Sequence, residues 1–204
     1  SHGVDSFDNI RVVHSWKRNS ATYIFDIVRC VTHHSPHVIH IQHEYLAYGA
    51  RKYSLLFPML LLFLRLLGRP IVLTMHSVVK RDRLDSDFFL NHQTGRRGAR
   101  IKRSAMIIFT RAITGLVHKV IVHNQEMKNV LVCDYAVRRE KTVVIAHGID
   151  TYSIEKSIGE SKELLGVSRR RIILFFGFII PRKGLEVLIK SFSRIFAEVP
   201  DAIL

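Results

Sequence analysis

A histidine, in three cases with a second residue beside it, follows each of four short apolar runs of this 204-residue chain at the point where the run ends. These residues are His43 and Glu44 after the first run, His76 after the second, His123 and Asn124 after the third, and His147 and Gly148 after the fourth. Ligands of open parallel sheets bind outside the carboxyl ends of the strands, so we expect these groups to line one crevice. A single histidine of this kind is more typical of a structural hydrogen bond, whereas four equivalent positions favour a ligand site.

A second candidate site lies in residues 176–184, Phe-Gly-Phe-Ile-Ile-Pro-Arg-Lys-Gly, between an apolar run and a helix-like segment. Gly177, Arg182 and Lys183 would offer a flexible turn and two cations beside a helix N-terminus, which are features that bind phosphate. The loop matches neither the Walker A pattern nor the G-x-G-x-x-G fingerprint. A plain tight turn explains the same residues, and both interpretations stay open at this point.

Closely spaced histidines at the first run suggest a metal site, but the local structure argues against it. Pro36 and the predicted strand keep these imidazoles from converging, because neighbouring residues of an extended segment point to opposite faces. We therefore predict no metal site. The histidines concerned are His33, His34, His37, His40 and His43. Serine hydrolase chemistry is also unsupported, since no G-x-S-x-G elbow occurs.

The elements that position these groups alternate along the chain. Short runs rich in β-branched residues predict strands buried on both faces, and longer periodic segments between them predict helices. The predicted strands are 38–41, 71–75, 120–122, 143–145 and 172–176, and the predicted helices are 22–32, 53–67, 100–117, 125–132 and 185–196. This alternation predicts an α/β fold with a doubly wound parallel sheet. Asn124 suits the N-cap of the helix that follows it.

The whole chain carries a formal net charge of +14, and the excess of basic residues is concentrated in one part of it. Residues 51–103 have 12 basic and 3 acidic side chains, and Arg96, Arg100 and Arg103 would share one helical face. Three interpretations remain: a solvated helix, an anionic membrane surface or acceptor, and nucleic acid. Nucleic acid is the least favoured, because no aromatic stacking platform is interleaved with the basic residues.

Cysteine usage and hydropathy set the expected compartment. Cys30 and Cys133 form no C-x-x-C pattern, which is typical of a reducing compartment such as the cytosol. The apolar run 55–64 is too short to span a bilayer, which takes about 20 residues, and the first residues show no secretory signal.

Pattern changes along the chain predict three segments: a first domain over 1–149, a linker over 150–170, and the truncated start of a second α/β domain over 171–204. The chain begins without methionine and ends near a predicted strand, so we expect it to be a fragment.

Five segments taken together resemble the family 4 glycosyltransferases of the GT-B class. The matching segments are 38–45, 70–77, 120–124, 144–150 and 175–188, in family order over about residues 37–204. The resemblance implies two Rossmann-like domains facing each other across a cleft. Residues 1–149 would be the acceptor-side domain, incomplete at its start, and residues 171–204 would begin the nucleotide-sugar-binding domain.

The same resemblance implies the reaction and the roles of single residues. A sugar would pass from a nucleotide diphosphate sugar to an acceptor hydroxyl with retention, without a cofactor or an obligatory metal. His76 would be the catalytic residue beside the donor sugar, and Lys183 would hold the donor diphosphate with Arg182 and Gly177. The family usually has an arginine where Phe178 or Ile180 stands here.

Further expectations concern partners and turnover. The acceptor would be a glycan or a lipid-linked molecule, with docking of region 51–103 at an anionic, cytoplasmic membrane face. This chain alone is expected to lack turnover. The alternatives are a degenerate or truncated GT-B-like basic binding module without catalysis, and a nucleotide-sugar epimerase or phosphorylase on the same fold.

Overall fold

The computed structural model describes residues 4–7, 10–45, 47–85, 88–89, 97–149, 156–179 and 183–204. The chain divides into two compact units, Ser1–Gly148 and Ile149–Leu204, which are described separately below.

A parallel sheet forms the centre of the first unit. The unit opens with an antiparallel hairpin of β1 (Val4–Phe7) and β2 (Ile10–Val13). Four strands follow and pair in parallel in chain order. They are β3 (Ile39–His43), β4 (Ile71–Met75), β5 (Lys119–Val122) and β6 (Thr142–Val144).

Helices accompany these strands along the first unit, and the structure describes the bounds of five of them. They are α1 (Tyr23–His34), α2 (Arg51–Ser54), α3 (Phe57–Leu66), α4 (Ala99–Leu116) and α5 (Gln125–Tyr135), with short 3-10 turns at Arg81–Arg83 and Arg139–Lys141. Strands paired in chain order through right-handed connections place the intervening helices on one face of the sheet. The most apolar helix is α3, which packs against α1 and α4. Its side chains Phe57, Leu60, Leu61 and Leu64 are fully buried in the core.

The two outer strands of the sheet are exposed at several positions. Burial alternates along β3, where Ile39 and His43 are buried and His40 and Gln42 are exposed, whereas in β6 both Val143 and Val144 are exposed. The prediction of strands buried on both faces holds for β4, whose residues are all buried or half-buried. It was wrong for β3, where every second residue is exposed, and for β6, where neither valine is buried.

The second unit contains a parallel β-α-β arrangement. Helix α6 (Ile158–Leu164) starts at a capping box formed by Ser157 and Glu160. Strand β7 (Arg171–Ile172), helix α7 (Leu185–Glu198) and strand β8 (Ala202–Ile203) follow, and β8 pairs in parallel with β7.

The predicted fold class, a parallel α/β sheet of the Rossmann-like kind, is confirmed. Strand β7 is shorter than the predicted strand 172–176, and the predicted helix 53–67 is divided into α2 and α3. The division follows from Pro58 at the second position of α3, because proline lacks the N–H that would continue the ladder from the preceding turn. The hairpin β1–β2 and helix α6 were not predicted. Among the described residues, no helix is long and apolar enough to cross a membrane.

Candidate functional site

His76 stands immediately beyond the last residue of β4, at the carboxyl edge of the sheet. Its backbone N–H donates to the carbonyl of His43 over 3.2 Å, which ties it to the neighbouring strand. Its exposed ring places Nε2 2.7 Å from Oε1 of Gln42. Since an amide oxygen can only accept, Nε2 of His76 is the donor, and Gln42 therefore fixes the orientation of the ring and places a proton on Nε2.

Two further histidines meet His76 at this edge. His123 follows β5, and its Nε2 lies 3.3 Å from Nδ1 of His76. The ring of His147, beyond β6, stacks on that of His123 with 3.6 Å between centroids. One ring nitrogen from each residue lies within 4.8 Å of the others. The structure thus brings together three of the four histidines that follow the predicted strands, and we call them the histidine cluster.

His43 lies apart from the histidine cluster. Strand β3 extends through His43, so alternation places this side chain on the helix-covered face together with Ile39. It is 2% exposed, and its ring stacks on Phe57 with 4.6 Å between centroids. Burial lowers the pKa of His43 to about 4, and the nearby imidazole of His76 adds to this effect, because two protonated rings would repel each other. The ring is therefore a neutral packing group.

Two of the remaining predicted residues of the first unit, Glu44 and Asn124, have hydrogen-bond partners within the fold. Glu44 accepts hydrogen bonds from Oγ of Ser77 over 2.9 and 3.1 Å. Asn124 caps α5, where its Oδ1 accepts from the backbone N–H of Met127 over 2.8 Å. Gly148 ends the first unit.

Sequence reasoning missed two polar residues at this edge, Gln42 and Ser77. Gln42 pairs in register with Thr74 and holds the ring of His76, and Ser77 holds Glu44. The alternation of apolar and polar residues in β3 was the available signal for Gln42. That signal was overlooked because the strand was treated as buried on both faces.

In the second unit, Lys183 is exposed and directly precedes Gly184, the residue at the N-cap of α7. Gly177 has φ of 140°, a backbone conformation that favours glycine. Arg182 lies outside the described residues. The cation at Lys183 and the start of a 14-residue helix are therefore adjacent in the chain, as the phosphate-loop interpretation requires.

A parallel α/β sheet with polar side chains gathered beyond its carboxyl edge defines a Rossmann-like α/β domain. The family model described as Glycosyltransferase Family 4 matches residues 3–152, which is 150 of the 204 residues. The chain belongs to glycosyltransferase family 4, as the sequence motifs predicted. A comparison with curated proteins gave no match.

Proposed function

We propose that this chain serves the transfer of a sugar from a nucleotide diphosphate sugar to an acceptor hydroxyl, with retention at the anomeric carbon. The observation that carries the proposal is the meeting of His76, His123 and His147 at the carboxyl edge of the sheet in a member of this family. In this proposal His76 lies beside the donor sugar. A sugar oxygen accepts a hydrogen bond from Nε2 of His76, either together with Gln42 or in its place.

The donor diphosphate is assigned to Lys183, with Arg182 and Gly177. The leaving diphosphate gains negative charge in the transition state, and a fixed ammonium beside a helix N-terminus stabilises that charge more than it stabilises the ground state. The exposure of Lys183 and its place before the N-cap of α7 support this role. The reaction as proposed uses no cofactor and no obligatory metal.

Calorimetric titration with UDP- and GDP-linked hexoses tests the donor assignment. Lys183→Ala should weaken donor binding about tenfold or more, since a charge-assisted contact to phosphate is lost. Lys190→Ala removes an equally charged, exposed side chain from α7 and is the matched control. Equal affinity of the Lys183→Ala variant and the unsubstituted chain would contradict the assignment.

Donor binding without product would favour the alternative of a basic binding module without catalysis. An epimerised or phosphorolysed sugar would favour the other alternative, an epimerase or phosphorylase on this fold.

An apolar and basic surface on the first unit supports a membrane-associated acceptor. Met59, Leu62 and Leu66 are exposed at helical spacing along α3, which packs against α4, and Leu55 is exposed just before this helix. The region 51–103, which includes α3, carries the net charge of +9 that follows from its 12 basic and 3 acidic residues. An exposed apolar stripe beside cations is typical of helices that lie at an anionic membrane surface. We therefore assign the protein to the cytoplasmic face of a membrane, with a lipid-linked or glycan acceptor.

A further inference from the structure

We propose that the histidine cluster binds a divalent transition-metal ion of the zinc class. This site goes beyond the proposed transfer reaction, which requires no metal. It also departs from the expectation drawn from the sequence, which considered only the histidines of residues 33–43. The three rings now concerned come from the ends of three different strands, β4, β5 and β6.

Hydrogen bonds fix the protons on two of the rings. His76 donates from Nε2 to Oε1 of Gln42, and His123 donates from Nδ1 to the carbonyl oxygen of Ile145 over 3.1 Å. Both acceptors lack a proton of their own to give. In the neutral rings, the remaining nitrogens, Nδ1 of His76 and Nε2 of His123, therefore each carry a lone pair.

These two nitrogens lie 3.3 Å apart. With no positive charge between them they repel, so the arrangement calls for a shared proton or a bound cation. Two imidazole nitrogens that bind one tetrahedral zinc ion at about 2.0–2.1 Å lie roughly 3.3 Å apart. The observed separation therefore equals the one that a common metal ion would impose.

The surroundings of both rings match those of metal ligands. A ligating histidine usually donates its other N–H to a carbonyl or carboxylate, which fixes the tautomer and aims the lone pair at the metal. Gln42 and the carbonyl of Ile145 fill these supporting roles for His76 and His123.

His147 supplies the third ligand. A ring nitrogen of His147 lies within 4.8 Å of the other two ligand atoms, and the exposed side chain can turn to close this distance. Three imidazoles leave at least one coordination position for water, and such a ligand set selects zinc, copper or nickel over magnesium or calcium.

Metal titration of the full chain tests the site directly. The chain is first treated with EDTA, which is then removed. Calorimetry with Zn²⁺ should show one tight site per chain, and Co²⁺ should give the visible absorption typical of a four- or five-coordinate ion. His147→Ala should weaken Zn²⁺ binding about tenfold or more and remove the Co²⁺ absorption. His147 is exposed, so this variant should fold, as circular dichroism can verify.

The adjacent rings of His33 and His34, 4.8 Å apart, provide the control for adventitious binding. The double variant His33→Gln/His34→Gln should keep the tight site and its Co²⁺ spectrum, whereas His123→Gln should lose both. Equal Zn²⁺ affinity in His147→Ala, His123→Gln and the unsubstituted chain would overturn the proposal. Loss of the tight site in the control alone would also overturn it, by assigning the binding to α1.

Discussion

His43 and His76 are joined by a backbone hydrogen bond, yet their side chains have opposite environments. The ring of His43 is buried against Phe57, and neither of its nitrogens has a hydrogen-bond partner among the described residues. The ring of His76 is exposed and held by Gln42. His43 is the last residue of β3, whereas His76 lies one residue beyond the end of β4, so their side chains point in opposite directions. The first is a packing group and the second is a candidate catalytic group.

Acid stability should depend on His43. Its pKa is lowered from 6.5 to about 4, so between these values the unfolded chain binds more protons than the folded chain. Stability therefore rises with pH across this window and is lost as the pH falls from about 6.5 towards 4. The shift corresponds to at most about 3–4 kcal/mol at roughly 1.4 kcal/mol per pKa unit.

His43→Phe keeps a flat ring against Phe57 and removes the titrating group. Urea unfolding at pH 7 and at pH 5 should show a smaller loss of unfolding free energy on acidification in this variant than in the unsubstituted chain. The same loss in both proteins would show that the acid sensitivity arises elsewhere.

Sequence reasoning was strongest for single residues that follow a strand. His76, His123 and His147 could be placed together because parallel strands end at one edge of a sheet. The buried position of His43 could not be predicted, because β3 continues two residues beyond its predicted end. As part of the strand, His43 points to the same face as Ile39 instead of to the edge of the sheet. The role of Gln42 depends on its register opposite Thr74, which a single strand does not specify.

At the scale of elements, local chemistry explains most of the boundaries. Asn124 begins α5 by accepting from the N–H of Met127, as predicted, and Pro58 separates α2 from α3. Helix α6 was missed because its seven residues are too few for a clear periodic pattern, although its capping box of Ser157 and Glu160 was readable. The hairpin β1–β2 pairs four-residue strands, which give a similarly weak pattern.

The cap of α5 offers a prediction about element stability. Asn124→Ala removes the acceptor for the N–H of Met127 and should lower the unfolding free energy by about 1 kcal/mol. Asn129→Ala, within the same helix, is the matched control and should cost less, because alanine favours a helix interior. Chemical denaturation measures both, and equal losses would contradict a capping role for Asn124.

At the scale of the whole molecule, the apolar stripe of α3 and the charge of region 51–103 predict salt-sensitive membrane binding. Leu66 is 74% exposed, and Leu66→Ser should weaken sedimentation with vesicles that contain anionic lipid. Leu164→Ser, at a leucine of α6 that is 68% exposed, is the control and should leave binding unchanged. Equal binding to neutral and anionic vesicles would contradict docking through this surface.

Family membership and the histidine cluster together lead to one central claim, that His76 is the catalytic residue of a glycosyl transfer reaction. The most direct test follows nucleoside diphosphate release and the anomeric configuration of the product, with the protein, a panel of nucleotide diphosphate sugars and polar-lipid or oligosaccharide acceptors. We predict a retained anomer and a loss of rate of about 100-fold or more in His76→Ala, with His34→Ala unaffected. An inverted product, or full activity in His76→Ala, would contradict the claim.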